Sequence, residues 1–182
     1  MQDAVVLPLS GWENFYVIIG SSAAALTGLQ FVVVALTAEV RRRRPSTEVI
    51  SAFSTPTVVH FCTVLLVSAI LSAPWHLMSS VSLATGACGL GGVVYTAVVT
   101  LRARRQTDYE PVPEDWIWYI ALPWLAYIVI LAAAMLLVKT STLALFMLGA
   151  ASLLLLFIGI RNAWDTATYV AIMRTSESGT HE

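Results

Sequence analysis

Five runs of almost wholly apolar residues occupy positions 15–37, 51–73, 81–101, 116–138 and 142–160. A helix rises ~1.5 Å per residue, so about 20 residues cover the ~30 Å hydrocarbon core of a bilayer. Lipid supplies no hydrogen-bonding partner for a peptide group, and a continuous apolar run of this length satisfies its backbone there only as a helix. Composition agrees: 58% of the 182 residues are hydrophobic and 12% are charged. Soluble domains carry roughly 25% charged residues, and half of that leaves too little polar surface to cover a globule in water. The expectation is an all-α membrane protein, a single domain over residues 1–182 with about five transmembrane helices. Met1 to Ser10 lack a basic segment, so the first run does not read as a signal peptide and is expected to stay in the mature protein.

The breaks between the runs have physical causes. Arg41, Arg42, Arg43 and Arg44 follow the first run; four adjacent guanidinium groups do not sit in lipid, and Pro45 disfavours helix at the residue before it. Ala73, Pro74, Trp75 and His76 predict a tight turn between the second and third runs. The third ends at Arg102, Arg104 and Arg105, and a polar loop with Pro111 and Pro113 follows. Glu114 and Asp115 then suit the positive end of the next helix dipole. Little more than Lys139, Thr140 and Ser141 joins the last two runs, which predicts an antiparallel hairpin. With five crossings, nine of the ten basic residues fall on one side and only Lys139 on the other. Cytoplasmic loops carry the excess of Lys and Arg, so the N-terminus is expected outside and the C-terminus in the cytoplasm. Trp12, Tyr16 and Trp75 are expected at the outer interface, and Trp116, Trp118 and Tyr119 at the inner one.

Helix packing signals are plentiful. Gly20, Ala24 and Gly28 recur at four-residue spacing beside Ser21 and Ala25, and Gly86, Gly89, Gly91 and Gly92 form a second small-residue surface. Small residues let helix backbones approach closely in lipid, either within one subunit or at a seam between subunits. Ser10 and Glu13 fit a capping box at the start of the first helix. In an oligomer with that helix near the axis, Glu13 would instead form a carboxylate ring at an outer mouth. Arg161 and Asp165 are spaced to pair on one helical face, with Trp164 as an interface anchor. The last helix is expected to continue over residues 161–174 as a cytoplasmic extension, serving as an anchor or as a docking surface.

The polar inventory within the runs is short. All eleven Asp and Glu residues lie at expected helix ends, loops or tails, which argues against a proton- or sodium-coupled carrier, since those need an ionisable group at mid-membrane. Gln30 and His60 sit deep. Gln30 is about 16 Å along the helix from Arg41 and His60 about 14 Å from Ser51, so they are expected at similar depth and within reach of a bond across the first hairpin. A structural interhelical bond, a pH-sensing or pore-lining imidazole and a haem ligand are the three readings of His60, the last disfavoured because the sequence has no second deep His. Cys62 and Cys88 lie in apolar runs and are expected as buried free thiols. No metal site, cofactor motif or hydrolase, P-loop or dinucleotide signature is present in the sequence. A near-neutral net charge of -1 gives no indication of nucleic-acid binding.

The stretch from Gly20 through Leu29, Gln30 and Phe31 to Thr37, preceded by Trp12, resembles a group of small uncharacterised bacterial polytopic integral-membrane proteins. The run Gly159, Ile160, Arg161, Asn162, Ala163, Trp164, Asp165 carries the same resemblance. It implies a bacterial inner (cytoplasmic) membrane location, supplies no activity or cofactor, and places an ordinary apolar residue where Gln30 stands. The expected function is that of a non-enzymatic membrane protein that self-associates, an oligomeric ion channel or pore being one form of this. The alternative is an accessory or regulatory subunit of a larger membrane complex; a carrier of a small apolar solute is a third class. Expected partners are the bilayer, with anionic lipid at Arg41–Arg44, and further copies of the chain.

Overall fold

The computed structural model describes residues 8–43, 48–105 and 116–178. A 3-10 turn, Pro8–Trp12, leads into α1, Glu13–Arg43. Helices α2 (Glu48–Ser72) and α3 (Met78–Arg105) follow. A π-helical turn, Ile117–Ala121, opens onto α4, Leu122–Leu136, and α5 runs from Ser141 to Ser178. Within these helices lie five stretches long and apolar enough to cross a membrane: Leu9–Ala35, Thr55–Ser72, Met78–Arg104, Ile117–Leu136 and Ser141–Thr168. This is the architecture of a multi-pass membrane protein.

The helices overrun the apolar runs at their charged ends. Backbone helix continues through Arg43 in α1 and Arg105 in α3, because a helix leaving lipid keeps its own hydrogen bonds and only its side chains must change. Arg44, Pro45 and the loop with Pro111, Pro113, Glu114 and Asp115 lie outside the described residues. Pro56 sits inside α2, near the start of its apolar stretch, where its ring removes one backbone donor. Ser10 lies within the 3-10 turn and Glu13 is the first residue of α1, so the turn runs directly into the helix.

Both short connections are hairpins. Beyond α2, the Trp75 amide bonds the Ala73 carbonyl at 2.9 Å, and the Trp75 indole N–H bonds the Ile70 carbonyl. Between α4 and α5, the amides of Lys139 and Thr140 both reach the Leu136 carbonyl, at 2.9 and 2.8 Å. Helix α5 lies at the centre, flanked by α2 and α4; α1 packs on α2 and α5, and α3 packs on α4 with a lighter contact to α2. Tyr16, Phe61, Val64, Tyr127, Ile130, Leu148, Leu155 and Ile158 form the fully buried interior. Large apolar side chains also cover the exterior, with Leu83 77% and Phe31 62% exposed. Apolar groups on both surfaces of a bundle are unstable in water and ordinary in lipid.

Glycines set the closest helix contacts. A Cβ at Gly20 would fall 2.9 Å from Ser68 Cβ, and one at Gly89 would fall 2.8 Å from the Leu131 backbone nitrogen. At Gly92 it would collide with the Tyr127 ring, and at Gly159 with the Phe61 ring. Gly86, Gly89 and Gly92 of α3 thus face α4 inside the chain, whereas Gly91 is exposed. The stripe on α1 is only partly so used: Gly20 is buried, whereas Ser21, Ala24, Ala25 and Gly28 are exposed. A four-residue step advances 400° around a helix, so each step drifts ~40° and the stripe rotates off the contact face. Residues Tyr16, Ile19, Gly20, Ala23 and Gln30 form that buried face.

Candidate functional site

Buried polar side chains of α2 and α4 meet at His60 and Tyr127. His60, on the buried side of α2, is 2% exposed. Its Nδ1 lies 2.9 Å from the Tyr127 hydroxyl of α4, and Thr63 Oγ1 lies 3.4 Å from the same oxygen. Tyr127 reaches α2 because Gly92 leaves its ring room beside α3. His60 and Thr63 are three apart on α2, so both face one point on a neighbouring helix. Thr63 in turn donates to the Val59 carbonyl at 2.9 Å. A donor–acceptor chain across α2 and α4 results, lying within the apolar stretches of both helices.

The expected bond between Gln30 and His60 is not formed. Gln30 is 1% exposed and its Nε2 has no hydrogen-bond partner, while His60 turns to Tyr127. The two residues are close in depth: α1 and α2 run antiparallel with Gly20 against Ser68, and equal steps from that contact bring Gln30 level with Val58. They differ in direction around the helices, which depth does not constrain. The polar interior also exceeds the expected pair. Thr57, Thr85, Thr96, Ser152 and Asn162 are fully or almost fully buried. Gly159 packs on Phe61, so Asn162, one turn on along α5, comes level with Thr57 of α2. Both side-chain atoms of Asn162 are buried without a partner. A mid-helix Asn beside Arg161 was the sequence signal for it.

Around this layer, other side chains are distributed by role. Arg161 Nε is 3.8 Å from Asp165 Oδ2, as their spacing implies, and its guanidinium stacks 4.7 Å over the Trp118 ring. Trp164 points outward, 69% exposed. Tyr16 instead is buried and donates to the Leu145 carbonyl at 3.1 Å, so it ties α1 to α5 rather than facing the interface. Trp12 packs edge-on against Phe15 and Phe146. Glu13 is exposed, Gly86 is half-buried against Ala134, and Cys62 is exposed rather than buried, with Cys88 half-buried. Among the described residues no cluster of His, Cys, Asp and Glu is placed to hold a metal ion.

An open groove of about 400 Å³ lies between α2 and α3. Val59, Thr63 and Leu66 form one wall, and Cys88, Gly91 and Tyr95 are on the other. It exists because α3 leans on α4 and touches α2 only lightly. Comparison with protein families, with curated proteins and with solved structures returns no match for this chain.

Proposed function

We propose that this chain is a non-enzymatic, multi-pass protein of the bacterial cytoplasmic membrane that acts by self-association within the bilayer. Its N-terminus lies outside and its C-terminus in the cytoplasm, a direction supported by the nine basic residues that five crossings bring to one side. The observation that carries self-association is the outward face of α1. Ser21, Ala24, Ala25 and Gly28 are exposed there, and a Cβ at Gly28 meets nothing within 4 Å. Such a surface gives lipid little to grip and lets a second α1 approach closely.

A pore along that axis is the more demanding form of this reading. The outward face of α1 also presents Val17, Ile18 and Phe31, and Gln30 and His60 are turned inside the chain. Glu13 is then the charged group α1 offers at the outer mouth, above an apolar constriction of the kind that gates by dewetting. The accessory-subunit reading draws on α5, which continues to Ser178 beyond an apolar stretch that ends at Thr168.

Oxidative cross-linking in native membranes separates the two. With Cys62 and Cys88 replaced by serine, Ala24→Cys and Gly28→Cys are expected to form chain–chain disulfides, and Gly28→Leu to lower cross-linking of Ala24→Cys several-fold. Cross-links absent at both positions, with the protein eluting as a single subunit, would overturn self-association through α1 and favour the accessory role.

A further inference from the structure

We infer that the groove between α2 and α3 is a binding site for an anionic phospholipid, one acyl chain lying in the groove and the phosphate held at Arg102. The groove opens sideways within the apolar stretches of both helices, so the molecule that reaches it arrives from the bilayer. Its walls suit a hydrocarbon chain. Val59, Leu66 and Cys88 are apolar, Gly91 leaves the middle of the α3 wall bare, and the Thr63 hydroxyl is already spent on the Val59 carbonyl. A Cβ at Gly91 meets nothing within 4 Å.

The charge at the end of the groove selects the head group. Arg102 is seven residues beyond Tyr95, almost two full turns, so it continues the face of α3 that walls the groove. It is exposed. From Cys88 to Arg102 is fourteen residues, about 21 Å of helix, which matches half of a bilayer ~40–45 Å thick with its head-group regions. A chain of one leaflet whose phosphate is level with Arg102 therefore passes Gly91 and ends near Cys88 and Leu66. Arg104, two residues beyond Arg102, points to the opposite side of α3.

Native mass spectrometry tests the assignment on protein equilibrated in mixed micelles of equal phosphatidylglycerol and phosphatidylcholine. Wild type is expected to retain phosphatidylglycerol about five-fold over phosphatidylcholine, the ratio that corresponds to about 1 kcal/mol for one cation at the head-group level. Arg102→Gln should abolish that preference, and Gly91→Phe should remove retention of both lipids. Leu66→Trp narrows the groove from the opposite wall and should act like Gly91→Phe, which guards against a folding defect in either variant. Val94→Phe, exposed on the same helix outside the groove, and Arg104→Gln should match wild type. Retention by Gly91→Phe and Leu66→Trp at the wild-type level, or an equal loss in Val94→Phe and Arg104→Gln, would overturn the proposal.

Discussion

His60 Nδ1 and the Tyr127 hydroxyl, 2.9 Å apart and buried, show how much a single polar contact decides inside this bundle. Interhelical hydrogen bonds in membrane proteins contribute roughly 0.6–1.7 kcal/mol, a modest gain, whereas stranding one partner costs more than the bond supplies. Tyr127→Phe keeps the ring against Gly92 and leaves His60 without its hydroxyl partner. It is expected to destabilise the fold by about 1–2 kcal/mol, read from unfolding in mixed micelles. Asn162→Leu should differ in sign. Both polar atoms of Asn162 are buried and unpartnered, so removing them should leave stability unchanged or raise it by up to about 2 kcal/mol. A loss of stability in Asn162→Leu would show that its amide has a partner. His60 was recognisable in the sequence as a deep polar group, since an imidazole in an apolar run stands out by type. Tyr127 was not, because a tyrosine in such a run reads as one more apolar ring, although a buried phenol needs a partner for its hydroxyl.

At the scale of helices, glycine positions decide which pairs approach closely. Gly89 faces the backbone of Leu131 and Gly91, two residues on, faces the open groove. Gly89→Ala forces α3 and α4 apart, since the obstructing atom is backbone and cannot rotate away; a loss of about 1–3 kcal/mol is expected. Gly91→Ala meets no obstacle and should gain up to about 1 kcal/mol from helix propensity. Equal melting temperatures for the two variants in detergent would contradict the described packing of α3. Helix number and approximate limits were legible because length, apolarity and terminal arginines all report on one variable, depth in the bilayer. Azimuth was much less so. The spacing of Gly20, Ala24 and Gly28 marks small residues, yet the ~40° drift per step takes Ala24 and Gly28 off the face that packs on α2. The same gap explains Gln30 and His60, level with one another and turned to different neighbours. Gly159 against Phe61 was missed for a related reason, as a lone glycine in an apolar run carries no sign of the ring that fills its place.

For the whole molecule, an odd number of crossings puts the two ends of the chain on opposite sides, and the central claim is five. Helix α5 is buried among α1, α2 and α4, and its hairpin with α4 turns at Lys139 and Thr140. That turn must share a side with the start of α1, and the end of α5 must emerge on the other. Single cysteines at Ser10, Thr140 and Ser178, in a background with Cys62 and Cys88 replaced by serine, test this with a membrane-impermeant maleimide on intact cells. Ser10→Cys and Thr140→Cys are expected to label at once, and Ser178→Cys only after the membrane is permeabilised. Labelling of Ser10→Cys and Ser178→Cys from the same side would contradict five crossings, and the reverse pattern would contradict the proposed direction.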